Sequence, residues 1–375
     1  MILSANKFGF YQVNDRQTFS KFEALEWSKQ QKSPILWNFN EEIFSQYDWT
    51  LEPTVDLWEL YKQRARQIRD QYDYCVIWYS GGADSHNMLM AWIEAGCKID
   101  EIAVTWDFQT TGQAYNHHNS EISHVVIPDI KTLKDKGLKF KFRLIDIPEL
   151  SLSLLDKFSG KFEYYVNHYA SVNSGGKSLL REHISDYQKI IENKKLAFIW
   201  GKDKPFINYE NNKYFSYFFD DVDNCINPYV QQKYNQGWYD ELFYWTPDLP
   251  LLPIKQAHII KNFLRICNDE NFYQKNINAT WYNAILNKWL KMDVLKKLIY
   301  PKWSLDTFVE SRTPSYIFSE RDTWLWKSNS EKVNQYKKTI KYYLNNIDYG
   351  DSSILPEQAA RKRIVPFYSK KYWLE

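Results

Sequence analysis

Cysteine is scarce in this 375-residue chain: Cys75, Cys97, Cys225 and Cys267 are the four, and none stands in a CxxC pair. That spacing gives no support for a zinc knuckle, an iron–sulfur cluster or a disulfide framework. Net charge is nearly absent too, with 48 Lys and Arg against 46 Asp and Glu, a formal +2. Such a balance makes no strong field for a membrane surface or nucleic acid, and leaves a nucleic-acid partner an open question. No apolar run approaches the ~20 residues of a spanning helix, and Met1 to Gly9 lacks a signal-peptide core. The expectation is a cytoplasmic protein without a membrane partner. Repeats and low-complexity tracts are missing as well.

Aromatic residues, by contrast, make up 18% of the chain, including 16 Trp and 28 Tyr. They bury large areas while keeping a polar handle, so they suit cores and also sites that stack flat groups. The length allows more than one domain. Residues 1–53 form an N-terminal extension ending at Glu52-Pro53. A helix follows from Thr54, its cap, to about Tyr72, and its Lys62, Arg64, Arg66 and Arg69 read as a solvated face. Within residues 54–230, strands are expected at 74–79, 99–107, 140–147 and 196–200. Helices are expected between them at 85–95, 116–136 (with a break at Pro128) and 178–193. This alternation predicts an α/β fold with a doubly wound parallel sheet. Residues 231–375 read as a mostly helical C-terminal region, a candidate for substrate binding, with amphipathic stretches near 255–267, 279–298 and 329–346.

One segment carries chemistry. The first strand runs into Ser80-Gly81-Gly82-Ala83-Asp84-Ser85, which opens a helix. Glycines let backbone approach oxygen closely, and the first helical N–H groups attract anions. Ser80 and Ser85 can donate hydroxyl bonds. Asp84 is a poor partner for a bare phosphate and makes sense only with a divalent cation between them. The plainer reading is a turn in which Asp84 merely caps the helix.

This hexapeptide resembles the SGGxDS signature of the PP-loop ATP pyrophosphatases, the adenine nucleotide α-hydrolase-like superfamily, over roughly residues 74–205. The resemblance implies a Rossmann-like HUP fold, ATP and Mg²⁺ as cofactors, and attack of a substrate oxygen on the α phosphate with pyrophosphate leaving. An adenylated intermediate would then be displaced by a nucleophile. It also implies an adenine site beside Trp106, at the end of the second strand, where core packing is the alternative. A basic residue following a glycine at a later strand end commonly touches the phosphates in this superfamily. Gly201-Lys202-Asp203-Lys204 matches that pattern, and both lysines sit where a parallel sheet collects its ligands; a surface turn is the alternative.

Two further groups fall on the site side by topology. His117, His118, Asn119 and Glu121 begin the helix after the second strand, either as acid–base groups or as a solvated cluster. Asn173 to Ser178 echoes a Walker loop, but Ser171 occupies the place of its first glycine, which leaves an anion nest or a loop.

Cysteine placement narrows the chemistry. Cys75 and Cys97 should lie at the amino edge of the sheet, and no cysteine follows Cys267, so thiolation by a cysteine pair and sulfonucleotide reduction both fit poorly. A persulfide route through Cys225 stays open. Ile2 follows Met1 where a glutamine-hydrolysing synthetase would place cysteine, so ammonia or an amine would come from elsewhere. The leading expectation is an ATP-dependent ligase or modification enzyme acting on a small molecule or nucleobase, with Asp84, Lys202 and Lys204 catalytic. The alternatives are a nucleotide-binding sensor without turnover, or a sulfonucleotide-binding protein similar to the PAPS reductases but lacking their cysteine.

Overall fold

The computed structural model describes residues 7–106, 122–146, 184–201, 204–220, 237–267, 295–303, 330–331, 333–335, 338 and 367–375. Strands β1 (Phe10–Val13), β2 (Arg16–Thr18) and β3 (Leu36–Asn38) form an antiparallel sheet ordered β2-β1-β3. Between β2 and β3 lies α1 (Lys21–Gln31), capped by the Ser20 hydroxyl, which accepts from the Glu23 amide. A short α2 (Glu41–Phe44) follows. This unit is no detached extension. Its Phe44 and Trp49 join the core that runs through the rest of the chain, and Trp49 stacks on Tyr372 with ring centroids 4.4 Å apart.

Helix α3 (Leu57–Gln71) starts two residues later than the sequence indicates for a cap: Asp56, not Thr54, accepts from the amides of Trp58 and Glu59. Its Arg64 corrects the reading of a solvated basic face. Arg64 is wholly buried and pairs with Glu241 at 2.6 Å and Asp248 at 3.2 Å. Arg69 pairs with Asp100 at 2.5 Å, while Arg66 is exposed as expected.

The central sheet has five parallel strands: β4 (Tyr74–Trp78), β5 (Glu101–Trp106), β6 (Lys141–Asp146), β7 (Leu196–Trp200) and β10 (Trp238–Leu242), ordered β10-β7-β4-β5-β6. Helices α4 (Ala83–Glu94) and α5 (Ile127–Asp135) connect β4 to β5 and lead into β6. A π-helical turn, Ile122–Val126, runs directly into α5. Pro128 therefore sits just after the change from π to α turns, in the first turn of α5, and the helical path continues through it. Helix α6 (Ser185–Ile191) precedes β7.

Helices cover both faces. On one face α3 reaches the sheet through Arg64 and Glu241; on the other, the Tyr187 hydroxyl of α6 donates to Glu101 at 2.5 Å. Strands covered on both sides read as continuous apolar runs, and β7 (LAFIW) is buried at every position. These features fit the expected doubly wound α/β arrangement.

After residue 230 the described regular structure is helical for the greater part, with two short strands among it. The region returns β10 to the central sheet before α7 (Leu251–Cys267) begins, so a boundary at 230/231 would cut that sheet. Its last strand, β11 (Tyr372–Trp373), pairs with the hairpin of β8 (Phe206–Glu210) and β9 (Lys213–Tyr217) in the order β11-β9-β8. Residues 295–299 are helical, while 279–294 lie outside the described residues. No described helix is long and apolar enough to cross a membrane.

Candidate functional site

The chain moves from β4 outward through β5 to β6, then returns to β7 on the other side of β4. At such a reversal the connections leave in opposite directions, and a crevice opens outside the carboxyl ends of the two strands. The segments that emerge there are Tyr79 to Gly82 after β4 and Gly201 after β7.

The loop has the geometry of an anion cradle. Gly81 sits at φ +79°, a left-handed conformation that side chains disfavour. Gly82 is the N-cap of α4 and makes no side-chain capping bond, and the first helical bond runs from the His86 amide to the Gly82 carbonyl at 2.9 Å. The amides of Ala83, Asp84 and Ser85 thus precede the first i to i−4 bond of the helix, and they stand at its positive end.

The serines shape this loop from within. The Ser80 amide donates to Ser85 Oγ at 3.2 Å, Ser85 Oγ donates to the Gly82 carbonyl at 3.1 Å, and the Gly82 amide donates to Ser80 Oγ at 3.3 Å. Ser85 is buried and Ser80 exposed, so the two hydroxyls are not equivalent donors towards a ligand.

Gly201 is a matter of space. A Cβ there would lie 3.1 Å from Ser85 Cα and 3.2 Å from the Asp84 carbonyl group. The end of β7 and the start of α4 are in close backbone contact, and a side chain at 201 would press on the first turn of α4.

Asp84 is half-buried and held at two points. Tyr244 Oη donates to its main-chain carbonyl at 2.7 Å, and Tyr300 Oη donates to its Oδ1. Both tyrosines are fully buried, with ring centroids 5.6 Å apart. Burial pushes the Tyr244 hydroxyl well above the usual range, which keeps it a neutral donor. Lys204 is buried as well, its Nζ 5.8 Å from the centre of the Tyr300 ring. Of the residues expected to be catalytic, the structure gathers Asp84 and Lys204 about Tyr300. Lys202 lies outside the described residues, as do His117, His118, Asn119, Glu121, Asn173 to Ser178 and Cys225. Trp106 ends β5 opposite Asp146, and only its backbone is described. Cys75 is buried near the start of β4 and Cys97 follows α4, both at the amino end of the sheet, and burial pushes the Cys75 thiol up to about 12.

A second cluster was not legible in the sequence. Tyr79 donates to Asp129 on α5, and His86 Nδ1 lies 3.0 Å from Tyr79 Oη and 3.2 Å from Asp129 Oδ2. It brings the end of β4 and the first turns of α4 and α5 together beside the loop. His86 does follow the motif directly, but nothing marks Asp129 as its partner.

No protein-family model matches this chain, and no curated protein aligns with it.

Proposed function

We propose that the chain binds ATP with Mg²⁺ at Ser80–Ser85 and acts as an adenylating ligase or modification enzyme of the PP-loop, Rossmann-like type. The observation that carries this reading is the glycine-bent start of α4, close against Gly201 at the reversal of strand order. Backbone amides of Ala83 to Ser85 would take phosphate oxygens. A cradle built from main chain suits a large, highly charged group that side chains would crowd out.

The residues present fit a nucleotide-borne magnesium ion. Among the described residues no three His, Cys, Asp or Glu side chains gather as a metal cage. Magnesium needs none here, because it is commonly held by one or two carboxylates while phosphate oxygens and water complete its shell. Asp84, in the first turn of the cradle helix, is that carboxylate. The bound nucleotide supplies an activated α phosphate; the chain's own part is to orient it and to neutralise charge. Lys204, buried in the segment after β7, is placed to do the second. A small molecule or nucleobase is the proposed acceptor, with ammonia or an amine as the completing nucleophile.

The decisive experiment is incubation with ATP, Mg²⁺ and a metabolite extract, followed by nucleotide chromatography and mass analysis of modified species. AMP and pyrophosphate are expected. ADP and phosphate would overturn the reading, and binding without any turnover would replace the enzyme by a nucleotide sensor.

A further inference from the structure

Tyr300 belongs neither to the loop nor to the sheet, yet its hydroxyl donates to the Asp84 carboxylate. We propose that Tyr300 is a positioning residue, which holds that carboxylate in the orientation that receives the metal–nucleotide complex. The inference rests on the nucleotide reading of Ser80–Ser85.

The attachment of Tyr300 to the fold supports this role. Its ring is buried against Tyr244, with Lys204 Nζ over its face. Its backbone is pinned as well: the Tyr300 amide donates to Lys296 at 2.6 Å, and the Trp303 amide donates to the Tyr300 carbonyl at 2.9 Å. One residue earlier, the Ile299 carbonyl accepts from Tyr61 Oη at 2.6 Å, and Tyr61 Oη accepts from Gln256 Nε2 at 2.9 Å. The phenol therefore comes to Asp84 from a support anchored on both α3 and α7.

Two tyrosines divide the work at Asp84. Tyr244 bonds the main-chain carbonyl and so fixes where the residue stands; Tyr300 bonds the carboxylate and so fixes where it points. Partners that orient a metal-binding carboxylate typically change metal affinity about 10- to 100-fold when removed. Tyr300 also joins the two halves of the crevice: its hydroxyl meets the helix after β4, and its ring carries the lysine that follows β7.

The test uses the full chain and a non-hydrolysable ATP analogue, with affinity measured by calorimetry in Mg²⁺ and again in EDTA. Tyr300→Phe keeps the ring and removes only the donor. The gain in affinity on adding Mg²⁺ should fall about 10-fold or more in this variant, while metal-free binding stays as in the parent. Tyr61→Phe, which loosens the same support but leaves the Tyr300 phenol in place, should lose less of the gain than Tyr300→Phe; the reverse order overturns the proposal. An unchanged Mg²⁺ gain in Tyr300→Phe overturns it too, as does an equal loss with and without metal, which marks packing alone. A parent that binds the analogue equally well in EDTA would sink the positioning role and spare the anion cradle. A parent that binds no nucleotide under either condition would remove both.

Discussion

At Asp84 two explanations of a single residue make opposite predictions. If the carboxylate holds a metal against phosphate, Asp84→Asn abolishes turnover and leaves the fold intact. If it only caps α4, the substitution is mild, because Asn caps a helix about as well as Asp. The structure bears on this choice: the N-cap is Gly82, which makes no side-chain capping bond, and the Asp84 carboxylate takes the Tyr300 phenol. Turnover assays with circular dichroism separate the two, and near-parental activity would favour capping. Lys204 is the companion case. A charge-assisted contact contributes roughly 1.5–3 kcal/mol, so Lys204→Ala should weaken binding or rate about 10- to 100-fold. If the contact strengthens only as charge develops, the loss appears in kcat and not in KM. Parental values of both constants would remove Lys204 from the site.

Helix α3 illustrates what an element can hide. Its basic residues all lie within a few turns, yet Arg64 is sealed beneath the helix while Arg66 faces water. Arg64 answers Glu241, which also accepts from Tyr72 and pairs with Lys7 at 2.5 Å. Removing one partner of a buried pair costs about 3–5 kcal/mol when the other charge is stranded; here Lys7 and Tyr72 still hold Glu241 Oε1, so the lower end of that range applies. Arg64→Ala should therefore cost on that order in chemical denaturation, whereas Arg66→Ala should stay within about 0.5 kcal/mol. Equal, small effects for both would mean that the Arg64 network adds little to stability.

Over the whole molecule, the N-terminal unit and the tail meet. The tail strand β11 lies on β9, and Tyr372 packs between Trp49 of the N-terminal unit and Phe218. Asp220 ties the same regions together: it accepts from Tyr11 and from the Phe367 amide, and pairs with Lys21 at 2.8 Å. A shared core of this kind predicts joint unfolding of the N-terminal unit and the tail. Tyr372→Ala should cost about 3–5 kcal/mol, as large-to-small aromatic substitutions do in cores. The loss should appear in a single transition detected alike by tryptophan fluorescence and circular dichroism. Separate transitions would show that the N-terminal unit is an independent domain.

The sequence by itself determined the local pieces. Apolar runs at 74–78 and 196–200 are strands because both faces are covered, and Gly81-Gly82 bends a strand into a helix because glycine tolerates the required torsions. Alternating strands and helices were enough to anticipate a parallel sheet. The tertiary structure alone decided which distant residues meet. No local pattern distinguishes Arg64 from Arg66, because the difference lies in Glu241 far along the chain. Periodicity could not show that 238–242 completes the sheet, since Asp240 and Glu241 lie inside the strand and interrupt its apolar run. Nor could any motif reveal Tyr300 at Asp84 or Asp129 at His86: those contacts are set by where helices pack, not by spacing along the chain. Gly201 belongs to both accounts. Its place after a strand was legible, but the reason glycine suits it is the backbone of Ser85, 3.1 Å from where a Cβ would stand.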